Sequence, residues 1–191
     1  DGTPLEDRPI VDGSVSAAIP DGSGGFYIGG SFQRVGLLPQ QHVAHLLADG
    51  TADPAFSVTI VGSTVYALAL DGGTLYAGGY FTSAEGEARN RLAAFDTTTD
   101  ALLAWNPSAS SVVQSIAVAG SRLYVGGGFS SITDSVTTYT RHYAAAVGLT
   151  DGLVDTTWDP SPGNIVSDIA ATGTKVYLTG TFTTIGTGPA Q

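Results

Sequence analysis

The sequence predicts an all-β protein, specifically a β-propeller of four-stranded blades that forms part of a ring. Three observations predict this fold class. A six-residue motif from a tyrosine to a phenylalanine, with a glycine pair in the first three copies and a single glycine in the last, recurs and ends at Phe32, Phe81, Phe129 and Phe182. These phenylalanines are 49, 48 and 53 residues apart, so the repeat period is about 50 residues. Between the motifs, short apolar runs alternate with Gly, Asp and Pro, as expected of strands joined by tight turns.

Strand A opens each repeat and leads into a tight turn. Turns such as Asp71-Gly72-Gly73 favour a hairpin, because glycine adopts positive φ at little cost. The starting residues are Val15, Val65, Val113 and Val166.

Strand B contains the glycine motif. Both of its faces carry apolar or small residues, which predicts a strand packed between two neighbouring sheets. The glycine pair predicts a close approach by another backbone or an aromatic ring.

Strand C follows a loop that differs in length from one repeat to the next. Alignment places His42, Arg91 and His142 at one position at the start of this strand. A polar group that recurs at one position predicts a structural role there.

Strand D is predicted to end each repeat on an aromatic residue, namely Phe56, Trp105 or Trp158. The resulting division of the chain is the end of a preceding blade (1–13), three repeats (14–60, 61–110 and 111–163) and half of a fourth (164–191). The chain contains no Met, including at position 1, so we expect a processed or partial product.

The best copy of the pattern lies in residues 65–107. It reads V-Y-A-L-A-L, then D-G-G-T-L-Y-A-G-G-Y-F-T, then R-N-R-L-A-A-F-D, then W-N-P. This set resembles the delta-60 repeat, a bacterial β-propeller repeat of unknown function; residues 14–56 and 113–160 are further copies, and 166–184 is half of one. The resemblance implies a propeller within a large secreted or cell-surface bacterial protein, and it implies no catalytic residues. The chain departs from the family at Thr179, which replaces the first glycine, and at an insertion over residues 133–140.

Composition excludes several classes of partner. Seven Lys and Arg stand against 17 Asp and Glu, so the basic footprint of a nucleic-acid or anionic-membrane binder is missing. Cysteine is absent, which excludes disulfides and thiolate chemistry. The sequence contains no run of 18 apolar residues, so no membrane span is predicted. The Lys-poor, acidic composition favours an extracellular or cell-surface location in a bacterium.

No residues predict catalysis. His42 and His45 are three apart, so on a strand they point to opposite faces. No metalloprotease, nucleophile-elbow or phosphate-loop motif occurs, and no His–carboxylate cluster is apparent at a non-repeating position.

Each of two predicted turns carries a pair of carboxylates whose members are four residues apart. Asp residues on turns cap the turn more often than they bind calcium. No cofactor is therefore expected, with calcium kept as an alternative. The weak metal candidates are Asp96, Asp100, Asp151 and Asp155.

We expect a non-enzymatic extracellular module that serves as a scaffold or protein-interaction surface, its partner a separate protein or other domains of the same chain. The predicted contact loop is 132–141, with 37–41 and 85–90 as its equivalents, and deletion of 133–140 is predicted to leave the fold intact. The alternatives are a lectin-like propeller that binds surface glycan, with or without calcium, and a propeller lyase or glycosidase whose active site lies outside this segment. The predicted contact residues are Thr133, Asp134, Tyr139, Arg141, Gln40 and Arg89.

Overall fold

A computed structural model of the chain describes residues 10–186 and the backbone of Gly188 and Pro189. Every regular element in this part of the chain is a β-strand, so the predicted all-β class is confirmed. The strands of the first 50 residues are β1 (Ser14–Pro20), β2 (Phe26–Ser31), β3 (Arg34–Val35), β4 (Leu38–Pro39) and β5 (Val43–Leu46). The next are β6 (Ile60–Asp71), β7 (Thr74–Ala84), β8 (Glu87–Ala88) and β9 (Leu92–Asp96). They are followed by β10 (Ser108–Ala109), β11 (Val113–Ala119), β12 (Arg122–Gly127), β13 (Ser131–Thr133), β14 (Thr138–Thr140) and β15 (Ala144–Gly148). The last are β16 (Val166–Thr172), β17 (Lys175–Gly180), β18 (Thr184–Ile185) and β19 (Gly188–Pro189).

Among the described residues, four main antiparallel sheets follow one another along the chain, and short hairpin strands form three smaller sheets beside them. The first three have strands A, B and C side by side, in the orders β1-β2-β5, β6-β7-β9 and β11-β12-β15. The fourth pairs β16 with β17. Strand A is bulged at the same place in each sheet, after Val15, Val65, Val113 and Val166. None of the sheets closes on itself.

The predicted strand D is wrong in extent, because each of these segments makes only a single bridge to strand C. The bridges join Leu46 to Ala52, Phe95 to Leu102 and Val147 to Val154. Beyond the bridge the chain turns away. In the first sheet the Asp53 carboxylate accepts the Ala55 N–H at 2.9 Å, and this turn ends the extended conformation.

The predicted alignment of strand C is wrong by one residue in the third sheet. The glycines Gly29, Gly78 and Gly126 lie opposite Val43, Leu92 and Ala144. The residues that precede strand C are therefore His42, Arg91 and Tyr143, and His142 lies one position earlier. All three have positive φ, at 65°, 71° and 64°, and their N–H groups donate to the motif carbonyls of Phe32, Phe81 and Phe129.

Successive sheets pack face to face, and the first glycine of each motif makes this packing possible. A Cβ placed on Gly29, Gly78 or Gly126 would lie 2.7 Å from a valine Cγ1 of the next sheet. The valines concerned are Val65, Val113 and Val166. The predicted close approach at the glycine motif is thus confirmed, although the group beside the first glycine is a valine methyl rather than a backbone or an aromatic ring.

The motif phenylalanines anchor the interior of the first three sheets. Phe32, Phe81 and Phe129 are at most 2% exposed, and burial of each stabilises the fold by about 1.5–3 kcal/mol. In the part of the chain that the structure describes, there is no helix long and apolar enough to cross a membrane.

Candidate functional site

A histidine lies between two carboxylates at the end of the first sheet. His45, on β5, has Nδ1 2.9 Å from Asp53 Oδ2 and Nε2 3.1 Å from Asp21 Oδ2. Asp21 comes from the turn between β1 and β2, and Asp53 follows the bridge after β5. The side chains of His45, Asp21 and Asp53 are 14%, 5% and 20% exposed.

This cluster has no counterpart in the neighbouring sheets. His45 lies opposite Tyr27, and the residues opposite the equivalent tyrosines are Ala94 and Ala146. The sequence argument that no His–carboxylate cluster occupies a non-repeating position is therefore wrong. The signal that was available is a histidine at a strand C position where both other repeats have alanine.

Aromatic rings hold the imidazole in place. The His45 ring stacks on the Tyr27 ring with centroids 4.5 Å apart, and the Phe56 ring lies tilted at 6.1 Å. The environment is thus apolar on the side of Tyr27 and Phe56, whose own rings are 5.9 Å apart, and anionic at both nitrogens.

The two carboxylates are held in the ionised form. Hydrogen bonds, first of all from the Ser23 hydroxyl and then from the Ser23 N–H and His45, hold the pKa of Asp21 far below its usual range. Partial burial raises the pKa of Asp53, but hydrogen bonds from His45 and the Ala55 N–H outweigh it and leave this pKa lowered. Since ionised carboxylates only accept hydrogen bonds, both contacts of His45 are satisfied together when both ring nitrogens carry protons. His45 then has no free nitrogen with which to act as a general base.

A cleft of about 240 Å³ opens beside this cluster, between the first and second sheets. Tyr27, Phe56 and His45 form one part of its lining. Ser57 and the turn of residues 97–100 form the other and contribute hydroxyl groups. An aromatic surface beside several hydroxyls can bind a small polar ligand.

The predicted contact loop 132–141 is an ordered hairpin rather than a free insertion. β13 pairs with β14 and with β10, and Ile132 is fully buried. The Asp134 carboxylate accepts the Val136 and Thr137 N–H groups within the hairpin and the Val154 N–H at 3.0 Å outside it. Deletion of residues 133–140 would remove this tie as well as the exposed tip, and retention of the fold after the deletion stays a prediction.

Four of the six predicted contact residues are buried, namely Asp134, Gln40, Arg89 and Arg141. The last three occupy one position, two residues before the positive-φ residue of each sheet. Each crosses to the segment after strand C: Gln40 Nε2 donates to the Asp53 carbonyl, Arg89 donates to the Leu103 carbonyl, and Arg141 pairs with Asp159 at 3.2 Å. These side chains therefore hold the loops in place.

The remaining two predicted contact residues support the hairpin. Thr133 Oγ1 lies 2.8 Å from Thr138 Oγ1, and the half-buried Tyr139 ring packs beneath the Arg141 guanidinium. The exposed part of the hairpin is its tip, where the Val136 side chain is 73% exposed.

The four weak calcium candidates lie on turns and accept hydrogen bonds there. Asp96 accepts the N–H groups of Thr98 and Thr99, and Asp100 accepts the Ser57 N–H at 2.8 Å. Asp151 and Asp155 bond the N–H groups of Leu153 and Thr157, and Asp155 also pairs with Arg122 Nε at 2.5 Å. Over residues 10–186, 188 and 189, no three His, Asp or Glu side chains are arranged to hold a metal ion.

No family model and no curated protein matches the chain. Among solved structures, a similar one is described as the extracellular domain of a hybrid two component system from B. thetaiotaomicron. The TM-score is 0.54 at 17% sequence identity, over 93% of this chain and 20% of that chain. The likeness concerns the fold, and this chain spans about a fifth of the length of that protein chain.

Proposed function

We propose that the chain is a non-enzymatic, extracellular interaction module with the blade arrangement of a β-propeller of the delta-60 type. The shared strand order and glycine-to-valine packing of the sheets support the architecture. The structural neighbour is an extracellular domain, which supports a place outside the cell. The saturated hydrogen bonding of His45 favours a structural or binding role over catalysis.

The observation that carries this proposal is a row of three hairpins, of which the first and the third have an exposed apolar tip. The hairpins β3–β4 and β13–β14 follow strand B, and β7–β8 is formed by the end of strand B itself, so all three lie at the same edge of successive sheets. Leu37 at the first tip is 90% exposed and Val136 at the third is 73% exposed. Apolar side chains held outward on firmly anchored hairpins are suited to protein contacts.

We expect a photo-crosslinking benzoylphenylalanine at position 136 to capture one discrete partner. The purified chain would be irradiated with the secreted and surface proteins of the source organism, and products would be separated by mass. Unlabelled wild-type chain should compete for the partner and reduce the amount of crosslinked product. Unlabelled Val136→Asp should compete at least tenfold less well. The charge at the tip would remove an apolar contact without touching the buried root of the hairpin.

The matched control places the same crosslinker at Tyr66, which is 39% exposed on β6 and away from the hairpin edge. Equal capture from both positions, or equal competition by Val136→Asp and wild type, would contradict a binding site at the tip.

A second candidate function is binding of a glycan in the cleft beside His45, favoured by the juxtaposition of Tyr27 and Phe56 with hydroxyl groups. We expect a glycan that binds by calorimetry to lose at least tenfold in affinity when Thr98→Tyr fills the cleft. Thr138→Tyr, on the exposed edge of β14, is the control, and a chelator tests assistance by calcium. A panel without any binder, or equal binding by both variants, rejects this candidate.

A further inference from the structure

The second and third sheets are joined by side-chain hydrogen bonds at the edge where the cleft opens between the first and second. The Tyr76 hydroxyl donates to the Leu149 carbonyl at 2.9 Å, and the Trp105 indole N–H donates to the Gly148 carbonyl at 2.8 Å. Gly148 ends β15, and Leu149 begins the turn that follows. The aromatic pair of the second sheet is therefore tied to the third sheet at both of its polar atoms.

Phe56 takes the place of this indole in the first sheet. The centroid of its ring lies 5.9 Å from that of Tyr27, as the centroid of the Trp105 ring lies 5.3 Å from that of Tyr76. A phenyl ring is smaller than an indole and has no N–H donor. The cleft of about 240 Å³ thus opens beside Phe56, where the next pair of sheets has a larger ring and a hydrogen-bond donor.

The charge around the cleft is negative. Asp53 lines it from the first sheet and Asp100 from the second, and Asp21 lies on the far side of His45. Burial raises the pKa of Tyr27, and the charges of Asp21, Asp100 and Asp53 raise it further, so three carboxylates act on one hydroxyl in the lining. Among the described residues, neither Lys nor Arg lines the cleft. An imidazolium at His45 balances only part of this charge.

The Asp100 carboxylate is the anion that a ligand can reach. Its Oδ2 accepts the Ser57 N–H at 2.8 Å, which joins the turn of the second sheet to the first sheet beside the cleft. Its Oδ1 accepts no hydrogen bond from the part of the chain that the structure describes. Asp53 differs, because the Ala55 N–H bonds its Oδ1 and His45 bonds its Oδ2.

We propose that the cleft binds a ligand that carries a protonated primary amine. The ammonium group would lie beside Asp100 Oδ1 and bring N–H donors to the place where the next pair of sheets has an indole N–H. The carbon part of the ligand would pack against Phe56, and the hydroxyls of Ser57 and Thr98 would bond its polar groups. The proposal rests on the cleft being a ligand site, as in the second candidate function, and adds the charge of the ligand.

Two sources of this chemistry are an amino sugar and a simple alkyl amine. The test titrates the isotope-labelled 191-residue chain with glucosamine, with glucose and with n-butylamine at constant pH and chloride concentration. Glucose is the matched control, because a hydroxyl replaces the amine of glucosamine. In NMR amide correlation spectra, the signals of Ser57 and residues 97–100 should shift saturably with glucosamine and at least tenfold more weakly with glucose. Tighter binding of glucosamine than of butylamine would identify an amino sugar, and the reverse would identify the amine alone.

The protein variant Asp100→Asn removes the charge and keeps the fold. Asn retains an oxygen for the Ser57 N–H and readily adopts the positive φ of 58° at this position. It should weaken glucosamine binding at least tenfold. Asp151→Asn removes a carboxylate from the corresponding turn of the third sheet and should leave binding unchanged. Phe56→Trp should also abolish binding, because the indole would fill the cleft.

Three outcomes overturn the proposal: no saturable binding by either amine, equal binding of glucosamine and glucose, or equal effects of the two Asp variants. Equal binding of the two sugars would still leave the glycan candidate standing. Binding of butylamine without binding of any glycan would reject the glycan candidate and support the proposed amine site.

Discussion

Gly78→Val is expected to give the largest loss of stability of any single substitution discussed for this chain. A Cβ at position 78 would lie 2.7 Å from Val113 Cγ1 and 3.2 Å from Ile116 Cγ2. These two residues are 0% and 7% exposed, so neither can move without disturbing the interface between the second and third sheets. Gly78→Ala should cost about 1–3 kcal/mol and Gly78→Val should cost more, because overpacking rises with side-chain volume. Urea unfolding followed by tryptophan fluorescence measures both values.

The chain provides its own control at Thr179, which takes the same position in the fourth sheet and is exposed. Thr179→Ala should change the free energy of unfolding by at most about 0.5 kcal/mol. If Gly78→Ala and Thr179→Ala had equal effects, close approach of the next sheet would not be the reason for the glycine.

His45→Ala is expected to lower the melting temperature by several degrees at pH 7. Alanine suits the backbone there, because Ala94 and Ala146 take the same position in the next two sheets. The loss arises because Asp21 and Asp53 would lose their common partner and remain near each other, and because the stacking contact with Tyr27 would go. The measurement is thermal unfolding by circular dichroism.

The stability that this cluster contributes changes with pH in a definite direction. The pKa values of Asp21 and Asp53 are lowered in the folded protein, so their contribution to stability is complete above the ordinary Asp value of 3.8. This contribution is lost as the pH falls through the lowered folded values. The difference in melting temperature between wild type and His45→Ala should therefore narrow below about pH 4.

A double variant tests whether the carboxylate left at position 53 causes part of this loss. Leu103 is the counterpart in the second sheet of Asp53 in the first. In each sheet the backbone N–H of this residue donates to the carbonyl of the strand C residue that lies opposite the motif tyrosine. His45→Ala with Asp53→Leu should melt above His45→Ala alone, because one unpaired carboxylate is removed. A double variant that melts lower would show that the hydrogen bond from the Ala55 N–H to Asp53 outweighs the cost of the unpaired charge.

The sequence predicted strands A and B well, because their starting valines, turn glycines and motif tyrosines are local signals. It predicted strand D poorly, since the turn at Asp53 depends on a side-chain bond to a backbone N–H that propensity does not encode. The alignment of the third strand C was wrong by one residue because the third hairpin is longer. His142 was aligned in place of Tyr143, since it is the same residue type as its counterpart in the first sheet. Only the positive φ and the hydrogen bond to Phe129 identify the correct residue.

The candidate site was missed for a different reason. Asp21 and His45 are 24 residues apart, and their contact depends on the register of β2 with β5 and on the path of the turn after β1. The sequence predicted exposed side chains at Gln40, Arg89 and Arg141, because these residues are polar and lie in loops. Their burial follows from carbonyl and carboxylate acceptors on the segment after strand C, which become visible only in three dimensions.

The insertion of Val65, Val113 and Val166 over a glycine of the preceding sheet has a consequence for cooperativity. Every such interface joins segments consecutive in the chain, so coupling passes from one sheet to the next along the polypeptide. Unfolding of a chain built in this way is described by nearest-neighbour terms, as in a one-dimensional lattice. The interface between two sheets, rather than the individual sheet, then sets how far an unfolded region spreads. Substitution of one interface glycine would divide the array into two blocks that melt independently.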